Sequence, residues 1–241
     1  MKKIKIKLIA VAVAMLVGSA ATSRAAITLG FASTSGSSGD TVGSLIQFNS
    51  GGTFQFVPGN LTGADFVINS SSITGPGAGL GDLGLINGLF TIGAITTSGT
   101  TQTAPVTSSL GSTVTINDGA LNTLTAGLTW NLIATMGTGG IINVGGVVNL
   151  TGITYTGTQA ALVALAAQGN AIDTVSFTFI PGENLTQLTS IPVGSSLSTT
   201  FSGTIASPAP VPEPATLVAG LLVLLPAGAS TLQILSKKRA A

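Results

Sequence analysis

The 241-residue chain contains no cysteine and no histidine, and between Ala25 and Ser236 it also contains no lysine or arginine. Each absence removes a class of chemistry. Without cysteine there is no disulfide framework, no thiolate metal site and no lipid-modified thiol. Without histidine, or a lysine in the body, neither a Ser-His nor a Ser-Lys nucleophilic pair can be assembled from the many hydroxyls. Without cations the body has nothing to neutralise phosphates, which excludes nucleic-acid binding. Its carboxylates likewise have no partner for an ion pair. Charged residues make up 6% of the chain, against about 25% in ordinary soluble domains.

The charge that exists is segregated. Lys2, Lys3, Lys5, Lys7 and Arg24 stand at one end and Lys237, Lys238 and Arg239 at the other, with Asp40, Asp65, Asp82, Asp118, Asp173, Glu183 and Glu213 between them. The formal net charge of +1 therefore conceals an acidic body. Residues 1–25 read as a secretory signal peptide. Met1 to Lys7 is a basic n-region, Leu8 to Ala21 is apolar, and Ser23-Arg24-Ala25 offers small residues where signal peptidase reads, so cleavage is expected after Ala25 or Ala26. The apolar run is too short for the ~20 residues of a spanning helix.

At the other end, residues 207–214 form a proline-rich linker that cannot continue a sheet, because proline lacks the backbone donor and fixes φ. It ends in Val211-Pro212-Glu213-Pro214. Residues 215–235 follow as an apolar stretch that would rise ~31 Å as a helix, about one hydrocarbon thickness. Residues 236–241 carry the basic cluster Lys237-Lys238-Arg239, which the positive-inside rule keeps in the cytoplasm while the cation-free middle crosses.

This order of Pro-Glu-Pro motif, spanning stretch and terminal basic cluster resembles the PEP-CTERM sorting signal of Gram-negative bacteria. The resemblance covers residues 211–241, and Val211 to Leu217 is close to the family's usual wording. It implies recognition of Pro212, Glu213 and Pro214 by an exosortase, a membrane cysteine transpeptidase, followed by release or transfer to the cell surface or its exopolysaccharide matrix. Pro226 within the span, and the polar Ser230, Thr231 and Gln233, depart from a uniformly apolar helix.

The body, residues 26–206, reads as short alternating strands. Val175, Phe177 and Phe179 alternate with Thr174, Ser176 and Thr178; Phe201, Gly203 and Ile205 repeat the device; Leu128, Trp130 and Leu132 give a third buried face, and Phe54 with Phe56 a fourth. Runs at 45–48, 65–68, 89–95, 113–116 and 147–155 bring the expected number of strands to about nine. Gln159 to Gln168 is Ala- and Leu-rich and reads as one short helix, with Thr158 as N-cap and Gly169 as C′ residue. Gly75-Pro76-Gly77-Ala78-Gly79 reads as a flexible surface loop. The expected fold is all-β: a single jelly-roll-like β-sandwich with one short helix, flanked by the signal peptide and a C-terminal transmembrane helix. A β-solenoid is the alternative suggested by the glycine content.

No catalytic constellation, cofactor site or metal site is expected. A glycosidase works with two carboxylates, but the acids of the body stand singly in sequence. Asn117-Asp118-Gly119 and Gly39-Asp40 could supply calcium ligands, yet the same dipeptides ordinarily close turns. Asn60, Asn69, Asn149 and Asn184 head Asn-x-Ser/Thr sequons. Trp130 and Tyr155 are the large polar-tipped aromatics a carbohydrate platform would need, and packing in the core is the plainer expectation for both. The leading expectation is a non-enzymatic cell-surface or extracellular-matrix protein. Its partners would be signal peptidase and exosortase, the membrane through its tail, and either exopolysaccharide or further copies of itself. A carbohydrate-binding module or adhesin is the alternative. N-terminal sequencing of the exported protein should begin at Ala26 or Ile27, and a start at Met1 would show that the leader is retained.

Overall fold

Thr53-Phe54-Gln55-Phe56-Val57 shows how the body is built: Phe54 and Phe56 are buried and the residues between them are half-buried, because successive side chains of a strand point to opposite faces. The computed structural model describes residues 26–34, 43–60, 62–137 and 142–208. Among these residues fifteen strands lie in chain order as β1 (Thr28–Ser33), β2 (Leu45–Asn49), β3 (Thr53–Val57), β4 (Phe66–Ser71), β5 (Leu83–Asn87), β6 (Phe90–Ile92), β7 (Thr96–Ser98), β8 (Thr101–Ser108), β9 (Thr113–Asn117), β10 (Thr123–Trp130), β11 (Leu132–Met136), β12 (Ile142–Thr154), β13 (Asn170–Phe177), β14 (Ser196–Thr199) and β15 (Phe201–Ala206). Two short helices, α1 (Ala160–Ala166) and α2 (Leu185–Thr189), complete the elements.

The body is all-β, with two sheets. One closes: the antiparallel circuit β10-β9-β5-β4-β1-β15-β13-β12 returns to β10 and forms a barrel of eight strands. The other runs β14-β2-β3-β6-β8. The 13-residue β12 joins them, because its C-terminal part pairs with β10 while its N-terminal part pairs with β11, which in turn pairs with β8. β8 changes partner at Pro105, with Gln102 to Pro105 on β11 and Val106 to Ser108 on β6.

A continuous seam of rings holds barrel to sheet. Phe66 meets Phe31 and Phe31 meets Phe201 on the barrel side, and Phe201 meets Phe56 of the second sheet, with centroids 4.7, 6.4 and 4.8 Å apart. Trp130 then lies against Phe56, Phe90 and Phe54, and the chain runs on through Phe48 to Phe177 and Phe179. The separations suit tilted and edge-on pairs. Two glycines make room for it. A Cβ at Gly84 would stand 2.0 Å from Phe66 Cζ, and one at Gly203 would stand 2.1 Å from Thr174 O and 2.4 Å from Phe31 Cζ.

Several expectations need correction. Leu132 is not inward: the run of β10 breaks at Asn131 and the phase slips by one residue, so Leu132 is 40% exposed and Ile133 is fully buried. Thr158 does not cap α1; Gln159 is the N-cap residue and makes no side-chain cap bond, and the amide of Ala161 is satisfied instead by Gly77 O at 3.0 Å. The glycine-rich loop is thus docked on the helix, with Ala78 buried. A second helix exists where none was expected: Asn184 and Gln187 form a reciprocal capping box at the start of α2.

Residues 1–25, the sorting motif Val211-Pro212-Glu213-Pro214, the stretch 215–235 and the cluster Lys237-Lys238-Arg239 lie outside the described residues, as does Asp40. Among the described residues no helix is long and apolar enough to cross a membrane. Ser207, assigned to the linker by sequence, is buried: its N–H donates to Ile27 O at 2.8 Å, and its hydroxyl accepts from Ile27 N–H at 2.8 Å. Trp130→Ala should cost about 3–5 kcal/mol of stability in chemical denaturation, the usual range for emptying an aromatic core site.

Candidate functional site

The carboxylates, read from sequence as single loop residues, are differently placed in space. Asp65, Asp82 and Asp173 are all buried, and Asp82 and Asp118 are drawn into one hydrogen-bonded network at the start of α1.

The network begins in the turn joining β9 to β10. Asp118 Oδ1 accepts from the amides of Ala120 and Asn122 at 2.7 and 3.1 Å, while Oδ2 accepts from Asn122 Nδ2 at 2.9 Å and from Tyr155 Oη at 2.6 Å. Asn117 Oδ1 accepts from Gly119 N–H at 2.9 Å. The Asn-Asp-Gly segment is therefore a turn held by its own side chains. Four donors fill the acceptor positions of the Asp118 carboxylate, leaving none for a metal or a substrate. The Tyr155 hydroxyl, followed by the Asn122 amide, holds the carboxyl down to about 2.

Tyr155, just after β12, turns its hydroxyl oxygen to a second use and accepts Gln159 N–H at 3.2 Å. Burial, then the bond to Asp118, pushes its phenol up. Gln159 Nε2 donates to Asp82 Oδ1 at 3.1 Å. Asp82 closes the glycine-rich loop, its own amide donating to Gly79 O at 3.2 Å. Burial raises its pKa, the Gln159 amide partly opposes this, and the Asp118 charge adds to the rise. Two oxygens of the network, Asp82 Oδ2 and Gln159 Oε1, are buried and have no hydrogen-bond partner among the described residues.

Beside Asp82, on the outer face of β5 and β9, lies a depression of about 430 Å³. Leu83 and Leu85 form an aliphatic floor, and Thr62, Thr115, Asn117 and Thr123 line it with hydroxyls and an amide. Its chemistry is neutral and hydrogen-bonding apart from Asp82.

The other two buried acids sit away from this network. Asp65 accepts Ile86 N–H at 2.6 Å through Oδ2 and its carbonyl accepts the Ser44 hydroxyl, yet burial outweighs that bond and pushes it up to about 6. Asp173 lies on the buried face of β13 with Ala171 and Val175, across from Ile205 on one side and Val148 on the other, all apolar. Burial alone pushes it up to about 8.

Trp130 is 1% exposed, its indole N–H donating to Leu132 O at 2.8 Å, so it is a core residue and presents no stacking face. Tyr155 is half-buried and committed to Asp118. Of the sequon asparagines, Asn60, Asn69 and Asn149 are exposed, whereas the side-chain oxygen of Asn184 accepts from Gln187 N–H at the start of α2. The Asn-Asp-Gly turn was legible in sequence, but the link from Asp118 to Asp82 through Tyr155 and Gln159 was not, because its members lie up to 77 residues apart.

Compared with known proteins, the chain matches no family model, no curated protein and no solved structure.

Asp173 and Asp65 hold protons in the fold that the unfolded chain, with carboxyl pKa near 3.9, gives up. Their contribution to stability is complete below about pH 4 and is lost as pH rises through about 6 and then about 8. The lowered Asp118 acts oppositely, and its contribution disappears only as pH falls from about 4 toward about 2. The denaturation midpoint should accordingly fall between pH 4 and 8, and Asp173→Asn should flatten the upper part of that decline. A midpoint that climbs across this window would contradict the assignment.

Proposed function

We propose that the protein is an exported, non-enzymatic cell-surface or extracellular-matrix protein. In this reading an exosortase-type peptidase sorts it through Val211-Pro212-Glu213-Pro214, and copies of the body, a jelly-roll-like sandwich with one layer closed on itself, associate through neutral strand edges. The observation that carries the association is the placement of those edges. Among the described residues β14 pairs with β2 alone and β7 with β8 alone, and Ser196-Leu197-Ser198-Thr199 and Thr96-Thr97-Ser98 carry neither charge nor proline. Lysine and proline are the usual guards of a sheet edge. Supporting the sorted arrangement, Ile27 and Ser207 are hydrogen-bonded to each other, so the chain enters and leaves the body at one place.

The carbohydrate-binding or adhesin reading is favoured by one feature, the neutral depression beside Asp82 with its aliphatic floor and hydroxyl rim. The burial of Trp130 removes the aromatic platform that reading first relied on.

The mature protein is expected to sediment as progressively larger species with rising concentration, and a Thr97→Lys/Ser198→Lys double variant to remain monomeric under the same conditions. In cells, deleting the sorting peptidase should retain the protein in the membrane fraction. A wild-type body that stays monomeric and ignores its own exopolysaccharide removes the matrix role, whereas glycan binding by a persistent monomer supports the second reading.

A further inference from the structure

We infer that Asp82 and Gln159 hold a hard, oxygen-seeking cation of the calcium class, between the glycine-rich loop and the start of α1. Asp82 is only 7% exposed, and its Oδ2 has no hydrogen-bond partner among the described residues. Gln159 Oε1 is likewise buried and unpartnered. The two oxygens face the same spot: a Cβ placed on Gly79 would stand 3.2 Å from Oδ2 and 3.8 Å from Oε1. Exchanging the amide oxygen and nitrogen does not remove the difficulty. Nε2 donates to Asp82 Oδ1 at 3.1 Å, and the reversed amide would set oxygen against oxygen there.

A buried acceptor without a donor costs free energy, and a buried carboxylate costs more. The body cannot supply the remedy, since no Lys, Arg or His lies between Ala25 and Ser236. Tyr155, the nearest hydroxyl donor in the network, gives its proton to Asp118. The ionised Asp118 close by makes the local potential more negative still. A carboxylate oxygen beside an amide carbonyl oxygen is the donor set of calcium-like cations, not of soft metals. One carboxylate implies weak binding, in the roughly 10⁻⁴–10⁻³ M class seen in extracellular modules. The site is distinct from the Asn117-Asp118-Gly119 turn, whose carboxylate is already saturated, and among the described residues no group of three acids gathers to form a stronger one.

Tyr155 supplies the readout, because it is the only tyrosine of the chain and its hydroxyl touches Gln159. Terbium added to the mature protein should give tyrosine-sensitised luminescence that saturates and is displaced by calcium. Asp82→Asn should weaken binding of both ions at least tenfold, and Gln159→Glu, which adds a second carboxylate, should tighten it. The opposed signs keep the test decisive even if one variant folds poorly. Absence of calcium-displaceable luminescence, or calcium affinity unchanged in both variants, would overturn the inference and leave the two oxygens to buried water.

Discussion

The ring seam is the interaction on which the rest of this molecule depends. A body without cysteine or a basic residue has neither disulfides nor ion pairs to draw on, so apolar burial and backbone hydrogen bonds carry the fold. All nine phenylalanines and the tryptophan belong to one connected set of ring contacts that crosses from barrel to sheet. Burying each such side chain is worth about 1.5–3 kcal/mol, and a well-oriented ring pair about 0.5–1.5 kcal/mol more. The seam also dictates sequence elsewhere: Gly84 and Gly203 lie beneath Phe66 and Phe31 because any side chain there would collide with the rings.

Where period-two alternation runs unbroken, the sequence reads correctly. Phe54 with Phe56, and Val175 with Phe177, face the core as the pattern requires. Where local chemistry interrupts the alternation, reading fails for identifiable reasons. Pro105 hides β8, since a proline argues against a strand unless, as here, it stands where the strand changes partner. Gly30 conceals β1 by removing a side chain from the pattern. Asn131 shifts the phase, so Leu132 and Ile133 exchange roles. The start of α1 misled because no capping side chain of Thr158 or Gln159 serves it: Gly77, remote in sequence, accepts the Ala161 amide, and the Tyr155 hydroxyl, four residues earlier, accepts that of Gln159. By contrast, Asn184 and Gln187 carry a local capping-box signature that was there to be read.

The same contrast governs the site. The Asn117-Asp118-Gly119 turn is made by neighbours and could be recognised from them. The Asp82 environment is made by elements that meet only in the fold, so no spacing rule marks it. The buried acids illustrate the general point about charge: composition alone shows that they lack cationic partners, but only the fold shows that Asp173 points between Val148 and Ile205. Desolvation then decides its protonation, because among the described residues no neighbouring charge opposes the effect of burial.

Closure of the barrel concentrates the problem of exposed edges. A closed circuit of strands has no edge, so among the described residues hydrogen-bonding capacity is left outside it, on β14 at the margin of the second sheet and on β7 beside the first part of β8. In a protein rich in lysine such margins would carry charge. Here none is available between Ala25 and Ser236, and the only restraint left is length, four residues in β14 and three in β7. Short edges give each contact few backbone bonds, so pairing through them is weak singly and gains strength only when both edges of a molecule are engaged at once. A body with two such margins can link to two neighbours, which is the minimum that extends an assembly beyond a pair.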